Sequence, residues 1–308
     1  MVTEADRDSD LLKSAEDAIL ASAAILRTAA DPSPRMTAIR LAAFVTGLRE
    51  QDFLVGKCPL LTRPQAERLL EAARARARGV PLQYILEEAW FMGHPFFVGP
   101  GVMVPRPDTE TLVSEGLVRV ASLGVSGSSG IRFIDACTGS GCVGLSLAAS
   151  LDRTGVPYEG WLTDSSEDAL RYAYENLRRI TPHGTLRIAK CDLFPESCGD
   201  CSLILSNPPY IPAGDIPGLM PEVSVYEPKA ALDGGPDGLS VLRRVIGGAR
   251  ERLLPGGWLL VEHGYDQGGA VRSLFQDSFG FDTVETVRDY GGNERVTAGR
   301  VPAGGTVH

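Results

Sequence analysis

Two adjacent prolines, Pro208 and Pro209, force a β-strand to stop at Asn207. The run before them, Ser202-Leu203-Ile204-Leu205-Ser206, has the apolar character of a buried strand. Neither proline carries a backbone N–H, so the chain leaves the sheet stiffly. Asn207-Pro208-Pro209-Tyr210 then presents one amide, free carbonyls and one aromatic ring at the carboxyl end of a strand. Open α/β sheets place their ligands at that end. The amide oxygen of Asn207 and the carbonyl of Pro208 can accept the two hydrogens of a flat NH2 group, and Tyr210 can pack on its face. Alone, such a run is a strand ended by prolines; its company decides what it does.

That company is an alternation of strand and helix periods from Ile131 onward. Strands are expected over 131–135, 159–163, 185–189, 202–206 and 258–262. Helices are expected over 142–151, 167–180, 239–254 and 267–278. Two last strands, 281–286 and 294–298, lie close together and read as an antiparallel pair. The pattern predicts an α/β domain over 111–300, a parallel sheet covered by helices with a hairpin finish.

Residues 1–80 predict a separate helical domain. Apolar residues fall at helical spacing over 11–30, Asp31-Pro32-Ser33-Pro34 breaks the run, and a second helix spans 36–48. Thr62-Arg63-Pro64-Gln65 matches a capping box and opens a third helix that Gly79 stops. That helix carries Arg63, Arg68, Arg74, Arg76 and Arg78, either a solvated face or a docking face for an acidic or RNA-rich partner. Residues 81–110 predict a β-hairpin linker built on Trp90-Phe91, Pro95 to Val98 and Val102 to Val104. Asp108 or Thr109 can cap a helix running to Leu123. A loop follows over 125–130, and 301–308 is expected to be a disordered tail.

The first strand of the alternation ends in Asp135-Ala136-Cys137-Thr138-Gly139-Ser140-Gly141. Glycines at a strand-to-helix turn let a ligand approach the backbone, and the helix N-terminus beyond favours an anionic group. Asp164 sits past the second strand, where a carboxylate can bind the hydroxyls of a ribose. Asp192 sits past the third, where it can accept from an exocyclic amine. Three acids at three successive strand ends beside a glycine loop fit an adenosine ligand. A nicotinamide dinucleotide competes, because Gly139, Gly141 and Gly144 partly meet its glycine spacing. The terminal antiparallel pair and the Asn207–Tyr210 run favour S-adenosylmethionine and methyl transfer.

Composition narrows the field. With 308 residues, 44% hydrophobic and 22% charged, the chain can bury full cores. A net charge of −9 argues against a protein that lives on nucleic-acid phosphates. No apolar run reaches membrane-span length, and the start, MVTEADRDSD, has no signal-peptide core, so a cytoplasmic protein without a membrane partner is expected. Six cysteines do not make a disulfide framework. The Cys198/Cys201 pair has no second pair for zinc and reads as reduced loop cysteines. Four histidines leave no multi-histidine site, so no metal is expected.

The ordered segments resemble the PrmC/HemK family, the N5-glutamine methyltransferases of peptide chain release factors. The resemblance rests on Gly79 to Tyr84, Phe97-Val98, Val104 to Glu110, Asp135 to Gly141, Asn207 to Ile211, Tyr226 to Pro228, Ala231-Leu232, Gly234 to Leu239, Glu262 to Gly264 and Asp289 to Arg295. It implies a small all-helical N-terminal domain that helps recognise a release factor, and a seven-stranded Rossmann-like class I methyltransferase sheet with its last strand pair antiparallel. It implies S-adenosylmethionine as cofactor, S-adenosylhomocysteine as its product, and the glutamine of a Gly-Gly-Gln loop in class I release factors as acceptor. It places Asp135, Cys137, Thr138, Gly139, Ser140, Gly141 and Asp164 at the cofactor, with Asp192 and Leu193 at its adenine end. Asn207, Pro208, Pro209 and Tyr210 would hold the glutamine, with Asn207 also facing the cofactor. A monomer with no direct nucleic-acid contact is expected. The family usually has glycine where Cys137 stands, and a side chain there requires the turn to avoid positive φ. The position of Leu193 is often aromatic in the family. A nucleobase-amine methyltransferase shares the Asn207–Tyr210 pocket, and a non-catalytic docking protein shares the scaffold; both remain as alternatives.

Overall fold

The computed structural model describes residues 11–56, 59–124, 130–278 and 280–303. The acidic start, nearly all of the expected 125–130 loop and the end of the expected disordered tail lie outside the described residues. The chain forms two compact units. One holds the chain up to Glu88 together with Met220–Tyr226, and the other holds Ala89–Leu219 and Glu227 onward.

In the first unit the leading helix spans Ala15–Thr28, not 11–30. Ser14 caps it, its hydroxyl accepting from the Asp17 amide at 3.2 Å. A capping residue needs extended backbone, so Leu11–Ser14 forms a strand, paired antiparallel with Leu60–Thr62. The unit is therefore helical apart from this strand pair. The next helix is Pro34–Thr46, with proline in its first turn and Gly47 ending it at φ +73°. The helix Arg63–Ala77 has the expected reciprocal capping box between Thr62 and Gln65. Ile19, Leu26, Leu41, Phe53 and Leu69 are buried between these helices. Arg76 turns inward, bonded to Asp31 at 3.3 Å and to Glu222, so one of the five arginines serves the fold of this unit.

The second unit is built on seven strands: β1 (Ile131–Ala136), β2 (Tyr158–Asp164), β3 (Thr185–Lys190), β4 (Cys201–Ser206), β5 (Leu253–Glu262), β6 (Thr283–Arg288) and β7 (Glu294–Arg300). Their order across the sheet is β6-β7-β5-β4-β1-β2-β3. β1 to β5 are parallel, and β7 runs antiparallel to both β5 and β6. Helices Cys142–Thr154, Glu167–Ile180 and Ser240–Arg250 accompany the sheet. The central strands are continuous apolar runs because both their faces are covered: Phe133, Ile134, Leu203, Ile204, Leu205, Leu259, Leu260 and Val261 are all fully buried.

Three expectations change here. β5 begins at Leu253, with an irregular register against β4 between Cys201 and Leu203, so the preceding helix ends at Arg250. The last helix is Gly268–Ser273 and continues as a π turn over Leu274–Ser278. The hairpin consists of Glu88–Phe91 and His94–Phe97 alone. Its two-residue turn, Met92-Gly93, has positive φ at both positions, which suits the twist of a tight hairpin. Val102, Met103 and Val104 form no strand and run on into a cleft wall.

Candidate active site

Because β1 to β4 are parallel, their carboxyl ends share one edge of the sheet, and the residues after each strand meet there. A cleft of about 1100 Å³, counting the part open to solvent, lies along that edge. Cys137, Thr138, Gly139 and Ser140 line it from β1, Asp164 from β2, Asp192 and Leu193 beyond β3, and Asn207 and Pro209 from β4.

The turn after β1 does not avoid positive φ. Cys137 sits at +60°, with Gly139 at +56° and Gly141 at +84°. A left-handed conformation costs a residue with a side chain roughly 1–2 kcal/mol. It persists because the loop is held from several sides. Thr138 donates its amide to Thr163 O at 2.9 Å and its hydroxyl to Asp135. Gly139 donates to Asp164 Oδ2 at 2.9 Å, and Asn176 donates to Ser140 O at 2.9 Å. Burial pushes the Cys137 thiol up to about 12, so it is inert as a nucleophile.

Asp135 and Gly141 stand behind this loop and do not line the cleft. Burial pushes Asp135 up to about 7, against the bonds from Thr138 and from the Gly144 amide. Its Oδ2 accepts both, while the buried Oδ1 has no hydrogen-bond partner among the described residues. Asp164 accepts from Gly139 N on one oxygen and from Ser166 N on the other, each at 2.9 Å. Burial raises its pKa while these amides oppose the rise. Asp192 is not open as an acceptor on both oxygens, since Arg244 reaches across to pair with Oδ2. Leu193 is buried, at φ +70°, with Thr163 donating to its carbonyl at 2.6 Å.

At the end of β4, Asn207 is half-buried and donates through Nδ2 to the Thr109 hydroxyl at 3.2 Å. Its amide oxygen accepts no bond within the protein among the described residues, on a side chain that lines the cleft. Thr109 stands at the head of the helix Glu110–Ser122, but its side chain makes no capping bond; the hydroxyl is committed to Asn207. Pro208 is buried, and neither it nor Tyr210 lines the cleft. The Tyr210 hydroxyl points inward to Glu262 Oε1 at 3.2 Å, and the ring packs against the core beside β5. Tyr210 therefore holds the loop from behind rather than covering a ligand face.

The loop is clamped by residues far along the chain. Gln267 Nε2 donates to Tyr210 O at 2.9 Å, Ile211 N donates to Leu232 O at 3.0 Å, and Gly234 N returns to Ile211 O at 2.9 Å. A Cβ on Gly234 would lie 2.8 Å from Tyr210 Cα, so only glycine permits this approach. Arg106 pairs with the buried Glu227, joining the Pro105–Glu110 run to the Tyr226–Pro228 run. Arg295 bonds Asp108 at 3.3 Å, Asp289 at 3.0 Å and His263 O at 3.3 Å. Glu110 accepts from Met92 N at 2.7 Å and belongs to the hairpin junction. The cleft walls that carry no site signal in the sequence include Val102, Met103, Ala230, Val241 and Arg244. All but Arg244 are small or apolar and carry no chemical signature; Arg244 reads as one more surface charge on an amphipathic helix.

Among the described residues no cluster of three or more His, Cys, Asp or Glu side chains could hold a metal ion, and no helix is long and apolar enough to cross a membrane.

Comparison with known proteins adds to this geometry. The PrmC N-terminal domain family matches residues 17–86. The release factor glutamine methyltransferase of Salmonella typhimurium is 38% identical over 271 residues, covering 87% of this chain and 92% of that protein. The release factor glutamine methyltransferase of Geobacter sulfurreducens is 41% identical over 229 residues, covering 73% of this chain and 75% of that protein. Among solved structures, the hMettl16 catalytic domain in complex with MAT2A 3′UTR hairpin 6 superposes with a TM-score of 0.51. It covers 83% of this chain and 87% of that one at 16% identity, a likeness of fold alone.

Proposed function

The chain belongs to the release factor glutamine methyltransferase family, and on that premise we propose that it methylates the glutamine side-chain amide of the Gly-Gly-Gln motif in class I peptide chain release factors. The methyl donor in this reading is S-adenosylmethionine and the products are N5-methylglutamine and S-adenosylhomocysteine. The observation that carries the reading is Asn207: its NH2 is engaged by Thr109, which leaves its amide oxygen to accept from an NH2 in the cleft it lines.

The residues present fit the cofactor. At Gly139 a Cβ would meet nothing nearer than Val102 at 3.8 Å, so the backbone there lies open to a ligand. Asp135 Oδ1 is a buried acceptor without a partner among the described residues, behind the turn that would carry the cofactor's amino acid end. Asp164 keeps lone pairs on both oxygens after its two amide bonds and would take the ribose hydroxyls. Leu193, Val241 and Arg244 would enclose the adenine, with Arg244 and the exocyclic amine sharing Asp192. Bound there, S-adenosylmethionine supplies an electrophilic methyl group on a sulfonium leaving group.

The acceptor nitrogen is a poor nucleophile because its lone pair is delocalised into the carbonyl. Its acidity is too weak for a side chain to deprotonate it first, so no general base is assigned. Asn207 Oδ1 accepts one of its hydrogens, which raises electron density on nitrogen and aims the lone pair. Positioning does most of the work, and the surplus proton leaves to solvent. Tyr210 contributes by tying the loop to Glu262. Tandem mass spectrometry of a release factor incubated with the protein and S-adenosylmethionine tests the reading. One added methyl on the Gly-Gly-Gln glutamine supports it; an unmodified glutamine with the cofactor demonstrably bound overturns it.

A further inference from the structure

The Asp289–Arg295 run and the Glu262–Gly264 run take no part in the methyl transfer itself, yet both end beside the Asn207 loop. β5 is parallel to β4, so the residues after Glu262 emerge at the cleft edge of the sheet. β7 is antiparallel to β5, with Val296 paired to Glu262, so the turn 289–293 between β6 and β7 returns to the same edge. His263 N donates to Arg295 O at 3.0 Å across that junction. Two tyrosines stand on these strand ends, Tyr265 at 67% exposed and Tyr290 at 83%. Neither side chain has a hydrogen bond or a ring contact among the described residues.

This exposure does not come from loose chain. Asp289 N donates to Asn293 O at 2.9 Å, Gly292 N to Asp289 O at 2.9 Å and Asn293 N to Asp289 Oδ1 at 3.0 Å. Arg295 holds Asp289 Oδ2 at 3.0 Å from inside. The turn needs Asp289, Asn293 and the left-handed Gly292 at φ +83°; it places no demand on residue 290, where a small polar residue is the ordinary choice. Gln267 closes the other turn, its side chain accepting from Gly264 N at 2.8 Å and its amide donating to Gly264 O at 3.0 Å. Both turns are tied to the cleft. Gln267 Nε2 holds Tyr210 O at 2.9 Å, and Arg295 holds Asp108, which stands between the cleft-lining Pro105 and Thr109. Turns fixed in this way present their rings at set points, so little freedom is lost when a partner covers them.

We infer that Tyr265 and Tyr290 form a docking surface for the protein that carries the acceptor glutamine, touching its folded body beside the loop that enters the cleft. The inference rests on the glutamine methyltransferase reading and adds where the acceptor protein rests. The acceptor in that reading is one side chain of a folded protein, so the body of that protein must lie against the rim of the cleft, and these two turns form the rim on the β5 side of Asn207. Aromatic side chains on a rigid frame are the common anchors of protein interfaces. Asp266, beside Tyr265, is exposed and has no ion pair among the described residues, in a chain of net charge −9. The surface therefore suits a basic face, whose arginines can lie flat on the tyrosine rings and meet the Asp266 carboxylate.

The full chain with Tyr265→Ala, with Tyr290→Ala and with both tests it, purified release factor being titrated by calorimetry into each protein loaded with S-adenosylhomocysteine. Each single change is expected to raise Kd about 3- to 10-fold, and the double change at least about 10-fold. KM for release factor should rise in step, while kcat at saturating release factor stays within about three-fold and S-adenosylhomocysteine affinity within about two-fold. Tm should stay within about 2 °C of wild type, because neither ring is buried. Tyr290→Phe should keep wild-type affinity, since the ring and not the hydroxyl makes the contact. Asp266→Asn should flatten the rise of Kd with added salt. An unchanged Kd in the double variant would overturn the surface, and so would a lost kcat at unchanged KM, the mark of turns that only brace Asn207. A double change that converts a dimer to a monomer by light scattering, with Kd for release factor unchanged, would give the surface to a second copy of the chain and overturn it too. A wild-type protein that binds S-adenosylhomocysteine but leaves release factor unmethylated would instead defeat the reading on which the surface depends.

Discussion

A single methyl group at Gly238 should test whether the clamp behind the Asn207–Tyr210 loop matters to turnover. Gly238 has φ +73°, and a Cβ there would lie 2.4 Å from Tyr210 O and 2.6 Å from Gln267 Nε2. Real Cβ atoms do not approach closer than 3.0 Å, so the Tyr210 carbonyl must retreat by at least about 0.6 Å. That carbonyl is the one Gln267 holds at 2.9 Å. In Gly238→Ala the left-handed conformation costs about 1 kcal/mol and the weakened hydrogen bond about 1 more. A total near 2 kcal/mol lowers Tm by roughly 4–8 °C for a unit of this size. The displacement begins three residues from Asn207, and a misplacement of order 1 Å can cost about 100-fold in rate. We expect kcat to fall at least about 10-fold, with S-adenosylhomocysteine affinity retained because the Gly139–Asp164 contact lies elsewhere. Differential scanning fluorimetry, calorimetry and a methyl-transfer assay on the same preparation give the three numbers. A variant with the lowered Tm and a wild-type kcat would show that the clamp stabilises the fold without aiming Asn207.

Three further outcomes follow from the same geometry. Asn207→Ala should lower kcat by at least about 100-fold while leaving cofactor affinity within about two-fold, read by steady-state kinetics beside calorimetry. Asp164→Ala should weaken cofactor binding by at least about 10-fold, since it removes a ligand carboxylate and frees the Gly139 amide; unchanged affinity would remove Asp164 from the site. Burial pushes Asp135 and Glu262 up to about 7 from ordinary values of 3.8 and 4.5. The folded protein then binds these protons more tightly than the unfolded chain, so stability falls as pH rises through that window and levels off above it. Denaturant midpoints at about pH 5 and about pH 8 should show the fall, and Glu262→Gln should reduce it without abolishing it, because Asp135 remains.

The alternation from Ile131 onward carried the sheet plainly, because strands buried on both faces are short unbroken apolar runs between helical periods. Asn207, Asp164 and the Cys137–Ser140 turn fall on one cleft because parallel strands bring their carboxyl ends together. The errors are equally physical. Leu11–Ser14 has residues that suit a helix, but the Ser14 cap three residues before Asp17 sets the start at Ala15. Cys137 was expected to avoid positive φ, yet hydrogen bonds from Thr138, Gly139 and Asn176 hold the turn there. Tyr210 was expected over a ligand and faces Glu262, because β5 brings a buried carboxyl beneath the loop. That partner lies 52 residues downstream, and no local pattern announces it. The pairing of Arg244, on a helix after the Asn207 loop, with Asp192 is another long-range contact that no local pattern announces.

The most direct measurement of the central claim is transfer of label from methyl-labelled S-adenosylmethionine to a purified release factor, beside the same factor with Gly-Gly-Gln changed to Gly-Gly-Ala. The account predicts label on the first and none on the second. Equal label on both would move the acceptor away from that glutamine. No label on either, with the cofactor bound, would contradict the assignment of this cleft.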